Sequence, residues 1–492
     1  MLIKKDRTAI ESYLEDSSNL KGGYAESVVF PEDINELSAF LAEADKKGTP
    51  VTASGGGTAT TGSRIPFGGA AVSLEKMNNI ITVSKESSVV SAEAGVTVED
   101  LKIACDKQGL FYACHPTEKW AFLGGTVATN ASGARSFKYG PTRRYVKSLR
   151  MVLADGEIFQ INRGEQKLTK KDSAITLQSG RRIRVPLPTY KMPGVKNSAG
   201  YFAKDGMDAI DLFIGQEGTL SIIAGVELAL TRMPSKLLCS FVFFNKAPDS
   251  WSFASDARSS SKQQRGGIDA LSIEYLDSSA LELLRSKSGN VPAGARAAIF
   301  FEQELHEKDD PGVMDAWLGL IKKHNASADE TWVAMTQSEE EELNKLRHSI
   351  PESVNAIVKA NGFSKLSTDI AVPEKNFTRL INFYYDTLRP EKLQTVIFGH
   401  IGECHLHVNL LPKNEDQLER SRAIALRFYK KGVALGGTVS AEHGIGKLRR
   451  GYLELMYGRQ GILEMARIKK ALDPNCILGL DNIFQKEVLK EI

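Results

Sequence analysis

The sequence predicts an α+β protein of two or three domains, and three observations support this prediction. The chain has 492 residues, which is too long for one ordinary hydrophobic core. Its first half alternates short β-type runs, amphipathic helical runs and glycine-rich loops. After Met233-Pro234 the pattern changes to strands that alternate with longer helical runs, which is typical of an α+β domain.

The first half contains short elements around two glycine-rich stretches. Apolar residues at helical spacing, an acidic first turn and a following glycine predict a helix over residues 31–47. Strands are expected at 51–54, 71–74, 80–83 and 89–92, a helix at 98–108, a hairpin at 151–161 and a strand that ends near 230. Residues 162–200 are polar and rich in Lys and Arg, which predicts a long surface excursion.

The second half contains longer elements. Strands are predicted at 237–244, 297–301, 394–398 and 405–411 from their β-type runs. Amphipathic helical runs are predicted at 313–324, 338–350 and 375–388. A last helix is expected at 458–472, where Asp473-Pro474 closes it.

The composition is that of an ordinary globular protein. Hydrophobic residues make up 42% of the chain and charged residues 25%. The net charge is only +3, so the sequence does not indicate a large positive surface potential that would attract nucleic acid. The five cysteines are scattered without a Cys-x-x-Cys pair, so neither an iron–sulfur ligand run nor a disulfide framework is expected. No secretory signal or run of roughly 20 apolar residues is visible. The expected location is the cytoplasm, either free or peripheral to the inner face of a membrane.

Two glycine-rich stretches are candidates for binding a ligand through the backbone. Gly55-Gly56-Gly57 follows a predicted strand and is succeeded by threonines, so its N–H groups can approach a phosphate closely. Its spacing fits neither a Rossmann nor a Walker motif, and a surface loop is the alternative. The second stretch, residues 123–133, consists mainly of small residues and can hold a broad flat ligand. Close packing of a helix on a strand is its alternative.

Histidines cluster in the hairpin at residues 399–409. Side chains alternate along a strand, so His405, His407 and Asn409 are predicted to share one face, and His400 lies at the end of the preceding strand. Imidazole is the commonest metal ligand among side chains and is usually joined by a carboxylate or thiolate. Glu442-His443, framed by a glycine at Gly444, is the candidate partner. The alternative is a polar, water-facing strand.

These motifs together resemble the FAD-dependent 2-hydroxy-acid dehydrogenases related to vanillyl-alcohol oxidase, which include D-lactate and D-2-hydroxyglutarate dehydrogenases and the glycolate oxidase flavin subunit. The family pattern Pro-Val-Thr-x-x-Gly-Gly-Gly-Thr-Gly is similar to residues 50–59. Ile-Gly-Gly-x-Val-Ala-Thr-Asn-Ala-x-Gly is similar to 123–133, and Gly-Ser-Glu-Gly-Thr-Leu-Gly-Ile-Ile to 215–223. The resemblance assigns to FAD binding the residues Ser54, Gly55, Gly56, Gly57, Thr58, Ala59, Thr60, Gly62, Pro116, Thr117, Gly124, Gly125, Thr126, Ala128, Thr129, Asn130, Gly133, Glu217, Gly218 and Ile222.

The resemblance also implies a fold. It predicts a PCMH-type FAD-binding domain of two α/β subdomains over residues 1–234. It predicts an α+β cap domain with an antiparallel sheet over 235–450. The remaining residues, 451–492, form a helical segment that packs back on the FAD domain.

The C-terminal motifs imply a metal and a catalytic base. Residues 399–407 are similar to the family hairpin Gly-His-x-Gly-Asp-Gly-Asn-Leu-His, and residues 440–446 match Ser-Ala-Glu-His-Gly-Ile-Gly. By this resemblance His400, His407 and Glu442 hold a divalent ion, which is Zn, Mn or Fe. His443 corresponds to the catalytic base and Asn409 to a substrate-contacting position. Arg347 corresponds to an arginine that binds the substrate carboxylate, although a solvated helix cation explains it equally well.

Several positions depart from the family pattern. Glu403, Cys404 and His405 replace Asp-Gly-Asn, so either Cys404 or His405 is a further candidate ligand for the ion. Ser54 and Ala59 replace a common Arg and a common Gly in the flavin loop. Ser367 stands where the 2-hydroxyglutarate enzymes tend to carry a Lys, which favours a D-lactate-like substrate over a dicarboxylate.

The predicted activity is oxidation of a D-2-hydroxy acid to the 2-keto acid with hydride transfer to flavin N5. A histidine base and a divalent cation suit this chemistry. The reduced flavin must pass its electrons to an acceptor, which is expected to be a quinone, an electron-transfer flavoprotein, a cytochrome or an iron–sulfur subunit. The expected assembly is a homodimer or a hetero-complex. Two alternatives remain open. One is a non-catalytic flavin subunit that relays electrons in a complex, and the other is an FAD-dependent alkyl transferase.

Overall fold

The computed structural model describes residues 1–114, 116–263, 266–306 and 311–492, and its secondary structure is mixed helix and sheet. The strands of the first half are β1 (Leu2–Lys4), β2 (Ser27–Phe30), β3 (Val51–Ser54), β4 (Ala70–Ser73), β5 (Ile80–Ser84), β6 (Val89–Glu93), β7 (Leu110–Phe111), β8 (Val146–Val152), β9 (Ile158–Asn162), β10 (Lys167–Leu168), β11 (Ala174–Thr176), β12 (Arg182–Arg184), β13 (Met207–Asp208), β14 (Ile222–Ala229) and β15 (Thr231–Arg232). Its helices are α1 (Arg7–Ile10), α2 (Ile34–Lys47), α3 (Val98–Asp106), α4 (Leu123–Ala128) and α5 (Ser136–Tyr139).

Two sheets organise this first half. A four-stranded sheet has the order β1-β2-β4-β3, in which β4 runs parallel to β2 and to β3. A five-stranded antiparallel sheet has the order β5-β6-β14-β8-β9. Near the end of the chain Ile477 returns to the first sheet, where its carbonyl accepts from the N–H of Val51 at 2.8 Å.

Helix α2 shows why these local predictions succeed. Asp33 caps it by accepting from the N–H groups of Asn35 and Glu36 at 2.7 and 2.9 Å. Gly48 ends it in the left-handed conformation at φ 64°. The predicted start at residue 31 is three residues early, because the capping side chain fixes the first turn at Ile34.

The second half forms one large antiparallel sheet. Its order is β19-β16-β18-β17-β22-β23-β20, and β21 also pairs with β23. The strands are β16 (Lys236–Phe244), β17 (Ala270–Leu276), β18 (Ala297–Leu305), β19 (Trp332–Ala334), β20 (Leu366–Ser367), β21 (Ile370–Ala371), β22 (Thr395–Gly399) and β23 (His405–Leu410). The helices are α6 (Ala247–Gln263), α7 (Ser278–Arg285), α8 (Pro311–Lys323), α9 (Gln337–Asn361), α10 (Glu374–Leu388), α11 (Glu415–Ala434) and α12 (Arg450–Leu472). Short 3-10 helices lie at Glu11–Tyr13, Thr142–Arg144, Ala209–Leu212, Ile401–Glu403 and Lys486–Glu491.

Helices α9 and α12 depart furthest from their predicted bounds. Helix α9 continues through Pro351 to Asn361, eleven residues beyond the predicted end. Proline removes one backbone hydrogen bond, but Ile350 and Val354 on either side of it are buried in one apolar cluster, and this packing holds the helix together. Helix α12 begins at Arg450, before the predicted start, and is interrupted at Gly458, where φ is 69°.

No helix among the described residues is both long enough and apolar enough to cross a bilayer.

Candidate active site

The glycine-rich stretches of the first half line a cavity of about 1000 Å³, which is at the upper end of the range for small-molecule sites. Two of the assigned FAD-binding residues lie off its wall. Gly62 offers its carbonyl to the Lys447 ammonium at 3.4 Å, and the Asn130 side chain accepts from the N–H of Arg143 at 3.0 Å. The assigned residues that do line the cavity are Ser54, Gly55, Gly56, Gly57, Thr58, Ala59, Thr60, Pro116, Thr117, Gly124, Gly125, Thr126, Ala128, Thr129, Gly133, Glu217, Gly218 and Ile222.

Some glycines in these stretches pack closely against neighbouring atoms, and others face open space. A Cβ on Gly56 would lie 2.2 Å from the Trp120 carbonyl oxygen, and one on Gly124 would lie 2.7 Å from the Ala94 methyl. A Cβ on Gly55 or Gly125 would meet no atom within 4 Å. The two interpretations of the glycines therefore apply to different residues. Gly56 and Gly124 are required by packing, whereas Gly55 and Gly125 leave room in the cavity.

The two neighbouring glycines predict two different mutant behaviours. Gly56→Ala is expected to destabilise the flavin-free protein by about 1–3 kcal/mol, because the methyl group overlaps a backbone carbonyl. Gly55→Ala is expected to leave the thermal unfolding of the flavin-free protein unchanged and to weaken FAD binding, because its methyl group enters the cavity. Thermal unfolding of the stripped protein and FAD titration check this pair. Equal effects of both variants on both measurements would contradict it.

Glu217 joins the first half to the loop that carries Glu442 and His443. It lies at φ 53° and accepts from the N–H groups of Ile445 and Gly446, both at 2.7 Å. Burial raises the pKa of Glu217 to about 7, and these two backbone hydrogen bonds oppose the rise. The position assigned to FAD binding therefore also fixes the loop that faces the cavity.

The predicted histidine hairpin is present. Strands β22 and β23 pair with Phe398 opposite His407, and His400 lies just beyond β22. The left-handed residue that closes the turn is Cys404, at φ 54°. His400 and His407 both line the same cavity as the glycine-rich stretches, so the two motif groups meet although they lie far apart in sequence.

The imidazoles of His400 and His407 converge on Glu442. Their Nε2 atoms each lie 3.1 Å from Glu442 Oε1. Their other ring nitrogens face acceptors, since His400 Nδ1 is 2.7 Å from Glu274 Oε1 and His407 Nδ1 is 3.1 Å from the Thr368 carbonyl. With a proton on Nδ1 alone, each imidazole presents an Nε2 lone pair toward Glu442, whereas an imidazole that is protonated on both nitrogens donates to this carboxylate from Nε2.

This arrangement fits a divalent cation. Neutral imidazoles that face a carboxylate can hold a cation between them, and acceptors behind the imidazoles are the usual support of metal ligands. Burial lowers the pKa of His400, yet the carboxylates of Glu274 and Glu442 raise it to about 10. The pocket thus favours positive charge at this point, and the residues that would hold an ion are His400, His407 and Glu442.

Cys404 and His405 have different surroundings. Cys404 is buried, which raises the pKa of its thiol to about 11, and it belongs to none of the metal-ligand groups among the described residues. His405 lies within ligand distance of the group but does not line the cavity. Its Nε2 is 2.9 Å from Asp369 Oδ1, so it faces away from the open space.

Lys196 is a member of the site that the sequence did not indicate. Its ammonium lies 2.6 Å from Glu442 Oε2 and 2.8 Å from Glu403 Oε2, and only 4% of its side chain is exposed. Although burial lowers the pKa of Lys196, the two carboxylates raise it above its usual range. The prediction of a surface excursion over residues 162–200 is therefore wrong at this residue. The sequence offered one local signal for this role, which is that Lys196 directly precedes a run of small and polar residues, Asn197-Ser198-Ala199-Gly200.

His443 lies at the edge of the cluster with its imidazole partly exposed. Its Nε2 is 3.7 Å from Glu442 Oε1, and its Nδ1 is 3.4 Å from Asp369 Oδ2. Asp369 is fully buried, and it also pairs with Arg449 at 2.5 Å. The Nδ1 side of His443 thus faces the Asp369 carboxylate and the Arg449 guanidinium, whose Nη2 is 3.5 Å from Nδ1, and the Nε2 side faces Glu442.

Arg347 and Asn409 also line the cavity. Arg347 projects from α9, and its Nη1 is 3.7 Å from Glu274 Oε2. Its Nε is buried and has no hydrogen-bonding partner among the described residues. The Asn409 amide donates to the Val396 and His407 carbonyls at 3.2 and 3.3 Å.

The chain matches two known domain families. Residues 25–162 match the FAD binding domain family, and residues 244–480 match the family described as FAD linked oxidases, C-terminal domain. Glycolate oxidase subunit GlcD of Bacillus subtilis is 27% identical over 490 residues, which are 98% of this chain and 93% of that protein. D-lactate dehydrogenase of Anaerostipes hadrus is 26% identical over 498 residues, with 97% and 93% coverage.

A solved structure of alkyldihydroxyacetonephosphate synthase superposes with a TM-score of 0.66 at 16% identity, covering 97% of this chain and 81% of that chain. This likeness shows the fold. The two matched domains, together with the antiparallel sheet of the second half, confirm the predicted fold class, a PCMH-type FAD-binding domain with an α+β cap domain. The chain belongs to the FAD-linked 2-hydroxy-acid oxidoreductases.

Proposed function

We propose that the protein oxidises a D-2-hydroxy acid to the corresponding 2-keto acid, with FAD as the hydride acceptor and a divalent ion at His400, His407 and Glu442. The observation that supports this proposal most directly is the shared cavity. Its wall includes both the glycine-rich stretches and the histidine–glutamate group, so a flavin and a small substrate have room side by side.

His443 is the proposed base. Oxidation of an α-hydroxy acid releases a hydroxyl proton, and imidazole is suited to accept it near neutral pH. Nε2 of His443 takes this proton from the substrate hydroxyl. Asp369 Oδ2, 3.4 Å from Nδ1, keeps the ring oriented and stabilises the imidazolium that results.

Arg347 is the proposed binding residue for the substrate carboxylate. Its buried Nε lacks a partner among the described side chains, and a guanidinium can hold a carboxylate through two parallel hydrogen bonds. Asn409, which lies on β23 two residues after His407, lines the same cavity as Arg347. The substrate hydroxyl then lies toward His443 while its carboxylate lies toward α9.

When bound, FAD would supply a hydride acceptor at N5. A divalent ion at the three ligands supplies a Lewis acid that lowers the pKa of the substrate hydroxyl.

Flavin bleaching by a substrate panel tests the proposal. Under anaerobic conditions, D-lactate and longer D-2-hydroxy acids are expected to abolish the visible flavin absorbance of the purified protein, and the L-enantiomers are expected to act far more slowly. Bleaching by none of the acids would contradict the proposal and favour a subunit that only relays electrons. Incorporation of a fatty alcohol into an acylated dihydroxyacetone phosphate would instead favour alkyl transfer.

An electron acceptor completes the proposed reaction. The five cysteines are free, and four of them are buried. Reoxidation therefore requires an external acceptor, which we propose to be a quinone, an electron-transfer flavoprotein, a cytochrome or an iron–sulfur subunit.

A further inference from the structure

One wall of the cavity carries a buried arginine that was not among the predicted flavin-binding residues. Arg64 lies just beyond the flavin loop, which consists of residues 55–62, and it lines the cavity together with Gly55, Gly56 and Gly57. Only 9% of Arg64 is exposed. Burial of a guanidinium is unfavourable unless acceptors or negative charges offset the loss of water. The contacts of Arg64 therefore indicate what this side chain binds.

Two backbone carbonyls hold the Arg64 guanidinium and leave part of it without a partner. Nη1 donates to the Gly55 carbonyl at 3.0 Å, and Nη2 donates to the Ser12 carbonyl at 2.7 Å. The ring of Tyr13 lies 5.6 Å from the guanidinium carbon. Nε is buried and has no hydrogen-bonding partner among the described residues. A guanidinium has more N–H donors than two carbonyls can satisfy, so donors remain for a further acceptor.

The positive charge of Arg64 also lacks a close counterion. Within the described parts of the chain, no carboxylate forms an ion pair with it, whereas the other three arginines that line the cavity each pair with a carboxylate. Burial lowers the pKa of Arg64, and the more distant charge of Asp16 opposes this only in part. This part of the cavity therefore has a positive potential that favours an anion.

The guanidinium lies directly against the flavin loop. A Cβ on Gly57 would overlap Arg64 Nη1, so the absence of a side chain at this position makes room for the guanidinium. Gly57 has a φ of 79°, and its carbonyl accepts from the N–H of Ser17 at 3.1 Å. The glycine backbone of the loop and a full positive charge are thus brought to the same wall of the cavity.

Ser54 stands on the other side of the same loop. It ends β3, and it replaces an arginine that is common in the family pattern. Ser54 lines the cavity, and its buried Oγ has no hydrogen-bonding partner among the described residues. Since Arg64 Nη1 bonds to the carbonyl of Gly55, the residue that follows Ser54, a cation is present beside position 54 although it comes from the far end of the loop.

We propose that Arg64 binds the pyrophosphate of FAD through the guanidinium donors that the Gly55 and Ser12 carbonyls leave unused. A pyrophosphate is anionic and has several acceptor oxygens, which suits a guanidinium that is already held in one orientation. The two carbonyls fix that orientation before the cofactor binds, so little side-chain freedom is lost on binding. The inference rests on the cofactor of the proposed function and does not depend on the substrate.

FAD titration of the flavin-free protein tests this inference. Arg64→Met is expected to weaken FAD binding by about 10–100-fold, because it removes hydrogen bonds between charged groups. Arg64→Lys keeps the charge and is expected to lose less affinity than Arg64→Met. The Kd is measured by quenching of flavin fluorescence at low and at high NaCl concentration. Salt is expected to weaken FAD binding more in the wild-type protein than in Arg64→Met.

A double variant separates the charge of Arg64 from its structural contacts. Arg64→Met also removes the hydrogen bonds to the Ser12 and Gly55 carbonyls, so it is expected to lower the thermal stability of the flavin-free protein. Addition of Ser54→Arg to Arg64→Met is expected to restore most of the FAD affinity without restoring that stability. If the double variant does not fold, the comparison of Arg64→Lys with Arg64→Met decides, and equal losses at both salt concentrations would overturn the role of the charge.

Arg163→Met is the matched control. Arg163 also donates to two backbone carbonyls in the first half of the chain, those of Val146 and Arg143, at 2.7 and 3.0 Å, but it does not line the cavity. This variant is expected to lower thermal stability and to keep the wild-type Kd and salt dependence. A Kd of Arg64→Met close to the wild-type value, or an unchanged salt dependence, would overturn the role of Arg64. Absence of FAD binding by the wild-type protein would instead overturn the proposed function itself.

Discussion

Replacement of His443 by alanine is expected to abolish reduction of the bound flavin by substrate while FAD content stays at the wild-type level. A positioned general base contributes about 10²–10⁴-fold to a rate, and His443 Nε2 is the proposed acceptor of the hydroxyl proton. Asp369 lies behind the ring, 3.4 Å from Nδ1. The variant keeps the backbone N–H of residue 443, which donates to Asp369 at 3.0 Å, so the loop retains its anchor.

Anaerobic rapid mixing with D-lactate or a longer D-2-hydroxy acid measures the rate of flavin reduction, and absorbance of the isolated protein measures FAD content. His306→Ala is a suitable control, because that imidazole is 80% exposed and does not line the cavity. A rate of reduction in His443→Ala within a few-fold of wild type would remove His443 from the mechanism. Loss of FAD from the variant would instead show that residue 443 supports the cofactor domain.

Local signals in the sequence were sufficient for the elements around the flavin stretches. Strand β3 has the predicted bounds Val51–Ser54, because a β-type run is limited by Pro50 on one side and by glycines on the other. Helix α9 was predicted to end at Ile350, before Pro351, and this was wrong. Packing of Ile350 and Val354 outweighs the missing hydrogen bond, and a sequence without an alignment carries no measure of that packing.

Strand alternation also gave an incomplete description of the hairpin. It placed His405 and His407 on one face, yet His405 is fully buried and His407 lines the cavity. Asp369, which immediately precedes β21, accounts for the difference, because its buried Oδ1 lies 2.9 Å from His405 Nε2 and holds that ring in the interior. The prediction used the period of a single strand and had no information about its neighbour.

The residues that support the histidines could not be predicted from spacing. Glu274 comes from β17 and Thr368 precedes β21, and both reach the hairpin only through the sheet. Lys196 comes from the other half of the chain. Motifs with glycines and histidines stand out locally, whereas a single Glu in a strand or a Lys in a polar stretch acquires its role only from the tertiary fold.

Replacement of Glu442 by glutamine is expected to remove the divalent ion and to lower substrate-dependent flavin reduction by at least about a hundredfold, since loss of even a supporting residue costs 10–100-fold in metal affinity or activity. Glu442 Oε1 is 3.1 Å from both imidazole Nε2 atoms. A glutamine amide can donate hydrogen bonds to both lone pairs, so the variant satisfies the cluster without an ion and is expected to fold.

Glu403→Gln is the matched control for this variant. Glu403 accepts from the same Lys196 ammonium, at 2.8 Å, but it belongs to none of the metal-ligand groups in the described ranges. Elemental analysis after dialysis is expected to find the ion in wild type and in Glu403→Gln, and to find less than about a tenth as much in Glu442→Gln. Chelation followed by addition of Zn, Mn or Fe is expected to restore wild-type activity and to leave Glu442→Gln unrestored. Wild-type activity that responds neither to chelation nor to re-addition would mean that His400 and His407 bind substrate directly, and Glu442→Gln would then alter KM more than the metal content.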